Sequence, residues 1–133
     1  MNELKVFTLD EANQLLPILN SHLFELHKKR DLVADLEVLI DAQELIVVPE
    51  KESAGQELSR LIDQHREVVS QFYEVVDDIH KMGCFLKDLD LGLIDFYGMI
   101  QGKVVYFCWR LGENKISYWH EIGQGFTHRQ PLT

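Results

Sequence analysis

Several things are scarce in this sequence. Its 133 residues include two cysteines and three prolines. Cys84 and Cys108 make no disulfide framework and lack the Cys-x-x-Cys spacing of a zinc-ligand pair. Reduced thiols in the cytoplasm are therefore expected. Basic residues are also few: 13 Lys and Arg stand against 22 Asp and Glu, for a net charge of −9. Phosphate and anionic-lipid contacts need clustered Lys and Arg, so neither nucleic acid nor a membrane surface is an expected partner. The basic run Lys28-Lys29-Arg30 is flanked by Glu25 and Asp31 and reads as a solvated helix face. No stretch reaches the roughly 18 apolar residues of a membrane span. Met1-Asn2-Glu3-Leu4-Lys5 lacks the basic segment and apolar run of a signal peptide. P-loop, GxGxxG and GxSxG patterns are missing as well.

What is present fits an ordinary domain. Hydrophobic residues make up 46% and charged residues 26% of the chain, near globular averages, and the length suits a single domain over 1–133. The composition changes near Gly83. Residues 1–83 hold eight basic and 17 acidic groups, whereas 84–133 hold five of each, nine of the 13 aromatics and six of the eight glycines. Thr8-Leu9-Asp10-Glu11 is a capping box that starts a helix, with Phe7 placed to staple onto Ala12. Leu15, Leu16, Leu19, Leu23 and Leu26, then Leu32, Val33, Leu36, Leu39 and Ile40, recur at helical spacing. Pro17 predicts a kink within that pattern, and Val47-Val48-Pro49 predicts its end. An exposed loop is expected from Pro49 to about Gly55. A second helix should then run to about Met82, with Gly83 as its stop. Its row Leu58, Ile62, His65, Val69, Phe72, Val76 and Ile79 is flanked by Leu61, Val68, Val75 and Met82. That stripe is wider than a two-stranded seam needs, so dimerisation or packing on the C-terminal part should cover the excess. His65 within it reads as a satisfied core histidine.

After Gly83 the spacing becomes strand-like. Short strands are expected over Cys84–Asp90 and Leu93–Tyr97, then a turn at Gln101-Gly102, then a strand over Lys103–Arg110. Val104, Tyr106, Cys108 and Arg110 share one face of that strand, and Val105, Phe107 and Trp109 the other. Gly112-Glu113-Asn114 turns the chain into a return strand over Ile116–Ile122, and a coil-like tail follows. Asp88, Asp90, Asp95, Arg110, Glu113, His120, Glu121 and Arg129 lie among the aromatics. Asp88 and Asp90 face the same way if their segment is extended. They make no calcium loop, because its fifth, sixth and twelfth positions would be Gly92, Leu93 and Met99. His120-Glu121 is no HExxH motif, because the second histidine is replaced by Gln124. A metal held by His120, Cys108 and an aspartate stays open, as does Cys108 acting as a nucleophile beside His120. Packing is the plainer role for a strand cysteine. Arg110 is expected to bridge to an aspartate rather than to bind an anion.

Three blocks carry a family resemblance. Phe7-Thr8-Leu9-Asp10-Glu11-Ala12-Asn13 with Leu15-Leu16-Pro17 resembles the opening of the prokaryotic family DUF2203. Leu86-Lys87-Asp88-Leu89-Asp90-Leu91-Gly92-Leu93-Ile94-Asp95-Phe96 resembles its central signature. Cys108-Trp109-Arg110-Leu111-Gly112-Glu113, Tyr118-Trp119-His120-Glu121, Gly125-Phe126 and Arg129-Gln130-Pro131-Leu132 resemble its ending. The resemblance implies a bacterial or archaeal protein and brings no catalytic residues to transfer.

The sequence thus predicts an α+β fold: a long antiparallel helical hairpin (1–83) followed by a small antiparallel β-sheet (84–133). The expected function is that of a non-enzymatic cytoplasmic homodimer acting through protein–protein contacts, with an unidentified protein partner and no cofactor assigned. The alternative is a small-ligand or metal-binding protein, or an enzyme, with its site between the helices and the sheet. Its candidates are Asp88, Asp90, Arg110, Trp119, His120, Glu121 and Arg129. Arg110 or Arg129 would hold an anion there, the carboxylates a cation or proton, and His120 would act as acid, base or ligand.

Overall fold

The computed structural model describes residues 4–46 and 52–133, with backbone alone at 52–54. Helix α1 spans Leu9–Gln14, α2 Leu16–Ile46 and α3 Glu52–Lys81. The strands are β1 Cys84–Asp88, β2 Leu93–Ile100, β3 Lys103–Arg110, β4 Tyr118–His120 and β5 Gln130–Pro131. They form one antiparallel sheet in the order β1-β2-β3-β4-β5, and the α+β expectation is met. Among the described residues no helix is long and apolar enough to cross a membrane.

The local signals explain most boundaries. Thr8 Oγ1 accepts from Glu11 N at 3.1 Å, and Glu11 Oε1 accepts from Thr8 N at 2.8 Å, which closes the capping box. The break expected at Pro17 falls at Leu15, between α1 and α2, where the proline ring disfavours helical continuity upstream. Of the expected loop and helix end, residues 47–51 lie outside the described residues, while 52–55 are already helical. Ala54, Gln56 and Glu57 are good helix formers and carry Gly55 along. Gly83, at φ +96°, ends α3 in the left-handed region. At Gln101-Gly102 both φ values are positive, 51° and 80°, as a two-residue hairpin turn requires.

The chain divides into two compact units. In Glu25–Val75, Leu36, Leu61 and Val68 form a buried cluster flanked by Val33 and Ile40. Leu61 and Val68 of the every-seventh row are thus buried in this unit, while Val75 of that row and Leu58, Ile62, Val69 and Phe72 are half-buried. His65, also half-buried, bonds Glu37 at 3.1 Å. Lys29 of the basic run pairs with Glu25 at 3.7 Å. In the other unit, Met1–Phe24 with Val76–Thr133, the apolar face of the sheet is Ile94 and Phe96 on β2, Val105, Phe107 and Trp109 on β3. Phe7 meets Phe96 edge to face at 5.3 Å, and Ala12, Leu16, Leu19, Leu23 and Ile79 are buried in the same unit. Asn13 Oδ1 accepts from Ile116 N at 2.8 Å, which ties α1 to the β3–β4 connection. Two expectations at the sheet edge need correction. The return strand is only Tyr118–His120, and the tail is not coil, because Phe126–His128 forms a 3-10 turn and Gln130–Pro131 pairs with β4.

Candidate functional site

The opposite face of the sheet carries the polar chemistry. Strand pairing sets Asp95 directly across from Cys108, and Tyr106 across from His120. Alternation then puts Asp95, Cys108 and His120 on one face, on three neighbouring strands. One ligating atom from each lies within 4.8 Å of the others, and all three residues are buried. Asp95 is 3% exposed and His120 1% exposed.

Their bonding fixes a proton count. His120 Nδ1 lies 3.0 Å from the Glu121 carbonyl oxygen. A carbonyl only accepts, so Nδ1 carries a hydrogen. His120 Nε2 lies 3.1 Å from Asp95 Oδ2. With Nδ1 already a donor, that contact holds one further proton, on the imidazole or on the carboxyl group. Asp95 Oδ1 is buried without a hydrogen-bond partner. Burial pushes the Asp95 carboxyl above its ordinary range, against the opposing pull of His120, Cys108 and Lys87. Burial, reinforced by the negative charge of Asp95, pushes the Cys108 thiol up to about 12. A thiol held there is protonated at neutral pH, which argues against a free nucleophilic thiolate.

A cavity of about 100 Å³ adjoins the trio, lined further by Lys87, Leu93, Gln124, Gly125 and Phe126. The lining of this cavity thus comes from the strands and the C-terminal segment, whereas the expectation from sequence sets the site between the helices and the sheet.

Of the seven ligand-site candidates, His120 alone enters the trio, while the metal reading from sequence sets Cys108 and an aspartate beside it, and that aspartate is Asp95. Asp88 and Asp90 do not share an extended face. The chain turns there, with Leu91 N donating to Asp88 Oδ1 at 2.9 Å and Gly92 at φ +67°. Trp119 lies on the opposite face, paired across the ladder with Phe107. Glu121 forms an ion pair with Lys103. Arg110 is exposed, and its guanidinium lies 5.7 Å from the centre of the Phe126 ring, a contact with an aromatic where an aspartate was expected. Arg129 bonds Glu113 at 3.1 Å and stacks on Tyr118 and Phe126 at 4.0 and 4.4 Å. It braces the tail beside Cys108, whose thiol its charge pulls downward. The expectation from sequence joins Cys108 and His120 with an unspecified aspartate and does not set Asp95 opposite Cys108. The signal that pairs those two is the Gln101-Gly102 turn, since a two-residue loop sets 100 opposite 103 and therefore 95 opposite 108.

Fold and site together define a class: an α+β protein with long paired helices, a five-stranded antiparallel sheet and a buried Asp–Cys–His cluster on that sheet. The chain belongs to the DUF2203 family, whose model, described as an uncharacterized conserved protein (DUF2203), matches residues 5–132. Comparison with curated proteins and with solved structures finds no match.

Proposed function

We propose that this protein binds a divalent first-row transition ion of the zinc class through Asp95, Cys108 and His120. The observation that carries the reading is the convergence of three buried donor atoms within 4.8 Å of one another, one of them on a carboxylate with an oxygen lacking any partner. Ligands of a tetrahedral zinc lie about 3.3–3.6 Å apart, so a pair at the 4.8 Å limit has about 1.2–1.5 Å to close. Imidazole with thiolate suits zinc and its neighbours better than magnesium or calcium. A dication with one thiolate and one carboxylate is net neutral, which a dry site tolerates far better than an isolated charge. The Nδ1–H bond to the Glu121 carbonyl leaves Nε2 as the ligating nitrogen, a common way of orienting a metal-binding histidine.

The test is zinc titration of chelator-stripped protein by calorimetry in buffers of different ionisation enthalpy. Binding of one zinc should release about two protons, one from the Cys108 thiol and one from the Asp95–His120 contact. Absence of binding by zinc, cobalt, nickel, iron and manganese would overturn the reading.

Homodimerisation through protein–protein contacts is a second reading. It is supported by α2 residues Val38, Leu39, Leu45 and Ile46, exposed at 67%, 51%, 87% and 63%, since apolar exposure of this extent along one helix suits an interaction site. Light scattering should give a dimer mass, and Leu39→Glu should lower it. A monomer at every concentration would remove this reading.

A further inference from the structure

We infer that the metal at this centre keeps one exchangeable position facing the cavity, where it takes a small oxyanion group, a carboxylate or phosphate, whose charge Lys87 balances. The inference rests on the metal reading above. Its first support is the donor count. Among the described residues the cluster offers three protein ligands. Structural zinc sites are closed by four protein ligands, whereas sites that work on a bound molecule have three and an open position.

The second support is the space. The cavity of about 100 Å³ touches all three donors and is walled elsewhere by Leu93, Gln124, Gly125 and Phe126. That is several times the room one water needs, yet it admits a group of only a few heavy atoms.

The third support is Lys87. The β1–β2 pairing slips between Leu86 and Asp88, which leaves Lys87 as the extra residue of a bulge. Bulges re-aim side chains, and this one lays the ammonium over the site face. Lys87 Nζ is 4.8 Å from the Tyr106 ring centre and 5.5 Å from that of Phe85, while Tyr106 lies 5.3 Å from the His120 ring. The charges then select the ligand. A dication with Asp95 and Cys108 thiolate sums to zero, an added anion brings one negative charge, and Lys87 supplies the positive charge beside it. A cationic ligand would meet Lys87 with like charge.

The experiment uses the cobalt-loaded full chain, because cobalt's visible ligand-field bands report its coordination directly. Sulfur-to-cobalt charge transfer shows that Cys108 is bound. Titration with acetate, inorganic phosphate and azide should then shift the ligand-field bands saturably. Lys87→Ala, read in the same way, should weaken anion binding about tenfold, the worth of one charge-assisted contact, and Lys87→Arg should restore most of it. Cobalt bands that form but ignore every anion would overturn the open position while leaving the metal reading intact. Equal anion affinity in Lys87→Ala would overturn the role of Lys87. Failure to form the bands and the charge transfer would overturn both this inference and the metal reading beneath it.

Discussion

Asp95→Asn should stabilise the metal-free protein and weaken the metal-bound one. In the metal-free chain the buried Asp95 shares a proton with His120 and leaves Oδ1 without a partner. An unsatisfied buried acceptor costs about 1–3 kcal/mol, more when charged. Asparagine keeps the shape and changes the chemistry. Its amide N–H donates to His120 Nε2, which the Glu121 carbonyl already leaves as the lone-pair nitrogen. No charge then has to be buried, and the orphan becomes a neutral amide oxygen. The expected gain is about 1–2 kcal/mol, or roughly 3–10 °C in melting temperature for a chain of this size. With zinc the order reverses. Zinc at a hundred times its Kd should stabilise the wild type by about 2.7 kcal/mol, and replacing a carboxylate ligand by an amide should remove most of that. The assay is thermal unfolding of both proteins, with chelator and with a fixed zinc concentration. A loss of about 3 kcal/mol or more in the metal-free variant, as breaking a buried ion pair produces, together with no zinc response in the wild type, would refute the reasoning and make Asp95 a structural partner of His120.

Stability should fall at alkaline pH. Burial holds the Cys84 and Cys108 thiols up at about 12 in the folded chain, against an ordinary 9.0. Between those values the unfolded chain has lost protons that the folded chain keeps. Unfolding is therefore favoured by up to about 1.4 kcal/mol per pH unit for each thiol as pH rises. Urea midpoints measured across this window should show it, and Cys84→Ala should lose about half of the thiol contribution; an unchanged slope would contradict it. Gly98→Ala should destabilise by about 2–3 kcal/mol. Its new Cβ would stand 2.3–2.6 Å from ring atoms of Phe107, a side chain only 4% exposed with nowhere to move. Chemical denaturation within about 0.5 kcal/mol of wild type would show that the ring yields.

Legibility followed the range of the forces. The capping box, the break near Pro17, the stop at Gly83 and the hairpin turn at Gln101-Gly102 depend on a few adjacent residues, and all were readable. Register across that turn was readable too, since two loop residues leave no slack, so Asp95 opposite Cys108 was within reach of the sequence. His120 was placed beside Cys108 only as a conceivable neighbour on an adjacent strand, because that register was not readable. The chain between Arg110 and Tyr118 does not fix a register by length, and the return strand shortened to Tyr118–His120. His120 thus met Asp95 through long-range packing that no local signal encodes. Asp88 and Asp90 failed for the converse reason. Their alternating pattern suggested a strand, but the Asp88 side chain bonds to Leu91 N, and Gly92 at positive φ bends the chain. Local capping outweighed period-two spacing.

The same cluster has to be weighed as a device for fold specificity, because buried polar groups sometimes fix a unique arrangement rather than perform chemistry. A device of that kind gains by being fully satisfied, and a half-satisfied network is worse than an apolar core. Here Asp95 Oδ1 has no partner, and the β2–β3 register is already set by the tight turn and by the Ile94, Phe96, Phe107 and Trp109 face, all buried. A pin between Asp95 and Cys108 is not needed there, and one between Asp95 and His120 would still leave Oδ1 unsatisfied. Cys108 sharpens the argument. A small apolar residue would serve for packing alone on β3, yet a thiol stands there among three atoms that a single ion can bind together. Three buried donors, one of them carrying an oxygen without a partner, become jointly satisfied when a dication joins them. That change is what zinc titration and Asp95→Asn measure from opposite sides.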